Sequence, residues 1–233
     1  MAHQRAARYG QGVTQPSISV RAVGREGQMI VAIDDFAPDP DGLRERAAVA
    51  DFGAAGEHYP GIRAALPAGY MDDAAPVLRR ALAGIFGRHG AVETIAASFS
   101  IVTTPPEALS IAQRTPHCDA HAADRFALIH YLTHDDQGGT AFYRHRATGF
   151  ETVGEGRVAA YAAALRGEAA PDRRYVGDSD ARFERIAVAE HRFNRAYLYP
   201  SFLLHSGAIL AGAALSAEPR EGRLTVTGFF RVG

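Results

Sequence analysis

The sequence contains no lysine; all 25 of its basic residues are arginine. That excludes Schiff-base chemistry, pyridoxal phosphate attachment and a Walker-type phosphate loop, each of which needs a lysine. There is no GxSxG, and no GxGxxG follows a strand-like run, so nothing supports a serine hydrolase or a dinucleotide-binding protein. Cys118 is the only cysteine, so no intrachain disulfide forms and a reducing cytoplasm is the expected setting. No apolar run approaches the ~20 residues of a membrane span. The opening stretch "MAHQRAARYGQGVTQPS" lacks the apolar core of a secretory signal. Net charge is −1, with 26 acidic residues against the arginines, so no basic excess points to nucleic acid or a membrane surface. Most arginines are therefore expected in solvated pairs, and a functional one has to be argued from its position.

What is present is ordinary globular material, 47% hydrophobic and long enough for one sizeable core. Residues 1–17 read as a loose tail and residues 18–233 as one domain. "ISVRAVG" and "GQMIVAIDDF" read as a hairpin turning at Gly24 to Gly27. A helix capped by Asp39 or Asp41 follows, then a loop-like "HYPGIRAALPAG". A clear amphipathic helix comes next, capped by Asp72 or Asp73 and ended by Gly87 or Gly90, with Val77, Leu78, Leu82, Ile85 and Phe86 on one face. From about residue 96 the chain is mostly strand-like, interrupted by a short Ala-rich helix around Val158 to Leu165. The outline is mostly β with flanking helices: strands and supporting helices over 18–95, and an antiparallel sandwich or barrel over 96–233.

The stretch "RTPHCDAHAADRFALIHYL" carries the chemistry. In an extended chain residues i and i+2 share a face, so His117 and Asp119 point one way and Cys118 the other. One imidazole and one carboxylate give two metal ligands; the best third is His205, at the end of "YLYPSFLLHSG" before two small residues. Two histidines and one carboxylate on one face of a metal is the arrangement of non-haem Fe(II) oxygenases, with positions left open for co-substrates. Further on, "REGRLTVTGFF" alternates, placing Arg223, Thr225 and Thr227 on one face. An arginine followed by a hydroxyl two residues later suits a carboxylate, which the guanidinium binds through two parallel bonds. Tyr131 could add a phenolic donor.

These residues in this order resemble the prolyl-4-hydroxylase-like branch of the 2-oxoglutarate/Fe(II) oxygenases. The matching features are His117-x-Asp119, the Tyr131-Leu132 strand, the Gly138-Gly139 turn, His205 and the strand opening at Arg223. "FYRHRATGFE" and "YPSFLLHSG" resemble more closely a bacterial family of uncharacterised function. The resemblance spans about Ala96 to Val232. It implies a double-stranded β-helix, the cupin-like jelly roll, holding Fe(II) on His117, Asp119 and His205. It also implies 2-oxoglutarate anchored by Arg223, with Tyr131 and Thr225 assisting, and O2 as co-substrate. The implied reaction yields succinate, CO2 and a hydroxylated peptide, amino acid or small molecule. The interval from His205 to Arg223 is longer than usual in that branch, which leaves Arg220 as a rival anchor. A metal-bearing jelly roll that binds a ligand or partner without oxidation is the alternative, and a metal-free sandwich a third reading.

The other candidates have plainer roles. His121 is a spare ligand or an entrance-loop residue, and Asp124 a rival carboxylate. His130, within an apolar strand, reads as a hydrogen-bonded core histidine. His134, His145 and His191 read as surface or rim residues, and Arg144 and Arg146 as solvated rim charges. Tyr143, Tyr197 and Tyr199 read as core aromatics, and Cys118 as a small core residue with no basic partner to activate it.

Overall fold

The computed structural model describes residues 15–233. Most of the expected tail lies outside the described residues, and the first strand already begins at Ser17. Strands β1 (Ser17–Val23) and β2 (Gln28–Asp34) form the expected hairpin. Helix α1 (Pro40–Ala48) is capped by Asp39, whose Oδ1 accepts from the Gly42 N–H at 2.9 Å; Asp41 sits in the first turn. Helix α2 (Tyr70–Phe86) starts earlier than expected. Its cap is Gly69, and Asp72 and Asp73 lie in the first turn, where the helix dipole favours them. It ends at Gly87, whose left-handed φ of 63° is open to glycine at no steric cost.

One expectation fails. The stretch around Pro60-Gly61 contains short strands β3 (Gly53–Ala54) and β4 (Gly61–Ala65). Strand β5 (Val92–Val102) is long enough to offer β4 a free edge, and that edge supplies the backbone partners a local reading cannot see. The remaining elements are β6 (Arg125–Tyr131), β7 (Thr140–His145), α3 (Val158–Arg166), β8 (Phe183–Ala189), β9 (Ala196–Pro200), β10 (His205–Gly207) and β11 (Leu224–Val232).

Every strand pair is antiparallel. An eight-stranded sheet runs β1-β2-β9-β6-β11-β5-β4-β3, and a three-stranded sheet runs β10-β7-β8. On one face of the large sheet Leu128, Leu198, Val226, Phe99 and Ile101 pack with Leu43 of α1 and Val77, Leu78 and Leu82 of α2. The other face carries Ile129, Tyr131, Tyr197 and Tyr199 and meets the small sheet through Phe142, whose ring lies 5.1 Å from that of Tyr199. This explains why "RFALIHY" reads as apolar throughout: β6 is covered on both sides. The result is a mostly-β, jelly-roll-like pair of sheets with helices behind the larger one. No helix among the described residues is long and apolar enough to cross a membrane.

Candidate metal centre

The His-x-Asp segment is not part of a regular strand. His117 forms an isolated bridge to His205, with N–H···O=C bonds of 2.8 and 2.9 Å in the two directions, which adds the segment to the free edge of β10. The Asp119 N–H donates to the Ser201 carbonyl at 2.9 Å, and the Cys118 thiol to that of Phe202 at 3.0 Å. These bonds aim the two ligands of the segment at the third. Atoms of His117, Asp119 and His205 all lie within 4.8 Å of one another. His117 Nε2 is 3.7 Å from Asp119 Oδ1, and His205 Nε2 is 3.3 Å from Asp119 Oδ2.

The donor set fits a divalent transition metal. Ligand atoms each about 2.1 Å from one ion at right angles would stand roughly 3 Å apart. His205 Nδ1 donates to the Leu203 carbonyl at 2.8 Å, so Nε2, which faces the cluster, is the nitrogen that would offer a lone pair to a metal. Burial alone would lower the pKa of His205, but the charge and hydrogen bond of Asp119 outweigh it, and the net shift is upward. Burial would likewise raise Asp119, and the two imidazoles reverse that, so the carboxylate stays ionised. Loss of water around the ring and the neighbouring His205 hold the His117 pKa down; half of its side chain faces solvent, which limits that shift.

The second predicted group sits deeper. Arg223, one residue before β11 rather than inside it, is 3% exposed. Its Nε and Nη2 donate to the Gly138 and Gly139 carbonyls at 3.0 and 2.9 Å, and its guanidinium lies 5.4 Å from the Tyr131 ring centre. Gly138 has a φ of 97°, and a Cβ there would meet the Ala208 carbonyl oxygen at 1.9 Å, so the turn that holds Arg223 needs this glycine. Tyr131 Oη and Thr140 Oγ1 share a 2.9 Å hydrogen bond. Thr225 is adjacent but turns its hydroxyl onto the Ser100 carbonyl at 3.3 Å. Arg220 is an exposed partner of Glu45 and points away from the interior.

Several expectations are corrected. His145 is buried, between Thr148 and Glu168. Arg144 is buried against Glu151 and reaches Glu184. Each pairs with a residue distant in sequence or across a turn, which local patterning does not reveal. The His191 side chain is almost fully covered, bonds Thr133 at 2.8 Å and stands edge-on to Tyr131. His121 is tied to the Val153 carbonyl and stays outside the cluster, and Asp124 lies beside Arg125 and Arg231. His130 is the expected core histidine, held by Tyr70 and Asn194. Helix α3 abuts the metal segment through Tyr161 Oη, which donates to the Pro116 carbonyl.

Two residues of the site escaped notice, and Tyr199 reads from sequence only as the core aromatic it is. Tyr199 stands edge-on to His205 at 5.1 Å, and its phenol feels the charges of both Asp119 and Arg223. The alternation of "AYLYP" already put it on one face with Tyr197. Tyr59 and Arg63 come from the stretch read as a loop, with the Arg63 guanidinium 4.6 Å above the Tyr59 ring, and no sequence signal marked them.

The structure is similar to that of HygX from Streptomyces hygroscopicus with nickel and 2-oxoglutarate bound. The TM-score is 0.51 at 13% identity, over 87% of this chain and 82% of that one. A weaker likeness, TM-score 0.42 at 12% identity over 89% of this chain and 83% of the other, is to a novel N-substituted L-amino acid dioxygenase from Burkholderia ambifaria AMMD. At these identities the HygX likeness speaks to the fold alone. No curated protein sequence matches the chain. The model of a family of unknown function, DUF6445, matches residues 14–230, and the chain belongs to that family.

Proposed function

We propose that this protein is an Fe(II)- and 2-oxoglutarate-dependent oxygenase with a double-stranded β-helix core of the prolyl-4-hydroxylase-like type, acting in the cytoplasm on a small molecule or peptide. One observation carries the reading. The two-histidine, one-carboxylate cluster and the buried Arg223–Tyr131 pair meet at Tyr199, whose ring stands edge-on to His205 and whose phenol feels the charges of Asp119 and Arg223. That HygX is described with nickel and 2-oxoglutarate bound supports extending its fold likeness to its ligands. His117, Asp119 and His205 would hold the metal. With 2-oxoglutarate, that metal would supply oxidative decarboxylation coupled to substrate hydroxylation.

The chain's own part is positional. Arg223, braced by the glycine turn, presents its remaining N–H donors and its charge to the far carboxylate of 2-oxoglutarate. Tyr131 and Thr140 supply hydroxyls beside it. Leu203 fixes the His205 ring through Nδ1, and Phe142 and Tyr199 wall the space against water.

The test is anaerobic titration of Fe(II), then 2-oxoglutarate, into chelator-stripped protein. A visible charge-transfer band is expected that His117→Ala abolishes. An unchanged band in that variant removes the assigned site. Iron binding with no band would favour a metal-binding jelly-roll protein without oxygenase activity; that alternative draws on the two Arg223 donors already committed to backbone carbonyls.

A further inference from the structure

We propose that Arg63 and Tyr59 form a receptor for a carboxylate of the primary substrate, beside the metal cluster, so that this oxygenase acts on a small organic acid. The inference rests on the oxygenase reading. Strand pairing places Arg63 opposite Ser100, Ser100 opposite Thr225, and Thr225 opposite Tyr131, one row across four strands of the face turned to the small sheet. Arg63 takes part in none of the ion pairs or side-chain hydrogen bonds among the described residues, and its Nε is buried with no partner. Tyr59 Oη is buried and meets no full hydrogen bond, with the Ser100 and Thr225 hydroxyls its nearest polar neighbours. Arg63 is partly buried, but a covered guanidinium nitrogen stacked on a phenol that meets no full hydrogen bond is costly unless a ligand satisfies it.

The surroundings set the sign and the chemistry. Tyr59 Oη lies in the field of both Arg223 and Arg63, and Asp119 also feels Arg63, in keeping with the row that sets this guanidinium on the face turned to the small sheet. In the proposed loaded site, the divalent ion, the Asp119 carboxylate, the two carboxylates of 2-oxoglutarate and the Arg223 guanidinium cancel. Arg63 is the charge left over, and one further carboxylate balances it. A single uncommitted guanidinium with a phenol suits a monoanion better than a phosphate dianion. The loop is held in place. Gln113 Nε2 donates to the Glu57 and Tyr59 carbonyls, and the Thr103 and Thr104 N–H groups donate to the Pro60 carbonyl. The receptor is thus built before any ligand arrives.

The test uses full-length protein loaded with Zn(II), which does no redox chemistry, and saturated with 2-oxoglutarate. Acetate, hexanoate, benzoate and N-acetylated alanine and phenylalanine are titrated calorimetrically, each beside its primary amide. At least one acid is expected to bind about tenfold or more tightly than its amide. Arg63→Met should erase that preference, Arg63→Lys should keep part of it, and Tyr59→Phe should reduce it. In 15N-arginine spectra the side-chain signal lost in Arg63→Met should move with the acid and not with the amide. The 2-oxoglutarate affinity of Arg63→Met should stay within about threefold of the parent. The inference is overturned if no acid is preferred over its amide, or if Arg63→Met weakens 2-oxoglutarate as strongly as it weakens the acids. Failure of the loaded protein to bind 2-oxoglutarate at all would instead overturn the oxygenase reading.

Discussion

Replacing Arg223 with methionine separates the co-substrate from the metal. Methionine refills most of the buried volume while removing the charge and two hydrogen bonds, to Gly138 O at 3.0 Å and Gly139 O at 2.9 Å. Bonds from a charged donor contribute about 1.5–3 kcal/mol each, so a stability loss of about 3 kcal/mol is the lower end for the pair. In a chain of this size that lowers Tm by roughly 6–12 °C. Truncating one partner of a buried charge pair costs about 2–5 kcal/mol of binding. Taking about 3 kcal/mol, 2-oxoglutarate affinity should fall about a hundredfold. The assay is the midpoint of the anaerobic charge-transfer titration at a temperature where the variant is folded, with Fe(II) affinity measured alongside. Iron affinity should hold, because Arg223 touches none of the three cluster residues. A 2-oxoglutarate midpoint within about threefold of the parent would refute the anchor assignment and leave Arg223 a brace for the glycine turn.

Three further outcomes follow from the framework. Glu151 is fully buried and accepts from the Arg25 and Glu26 N–H groups and twice from Arg144; burial would raise its pKa, but these donors hold it below the usual value of 4.5. Its stabilisation is therefore present above that value and lost as pH falls through the lower folded one, so Glu151→Gln should flatten the acid limb of a Tm-against-pH curve. Asn194→Ala removes bonds to both Ala37 backbone groups and to His130, about 3 kcal/mol in all, and should lower Tm by roughly 6–12 °C in calorimetry. Burial pushes the Cys118 thiol up to about 12, so a maleimide or disulfide reagent at pH 8 should label native protein far more slowly than protein in denaturant.

The legible part of the site was the part written locally. His117-x-Asp119 needs only the two-residue period of extended chain, and the structure brings both side chains to one cluster although the segment pairs through a single bridge and bends at Asp119. Alternation favoured Arg223 but left Arg220 a rival, and the structure places the first inside and the second on Glu45. The missed residues share one cause. Tyr59 and Arg63 sit on either side of Pro60-Gly61, a local turn signal, and the strand that carries Arg63 exists only because β5 extends far enough to pair with it. His145, Arg144 and His191 were placed at the surface because a charged or polar type reads as solvated until its distant partner is known.

By itself, the sequence determined the chemistry on offer: no lysine, one thiol, two histidines and a carboxylate in the order that resembles an iron-dependent oxygenase, and strand periods that must bury one or both faces. Only the tertiary structure decided which of the described histidines meet, because convergence of His117 and His205 depends on two edge segments pairing across 88 residues (205 − 117). It alone decided that Arg63 stands beside the metal segment without an anion, since that is a property of what surrounds a charge and not of the residue. Ligand type is a local fact of covalent chemistry; ligand geometry, desolvation and unpaired charge are properties of the packed sheets.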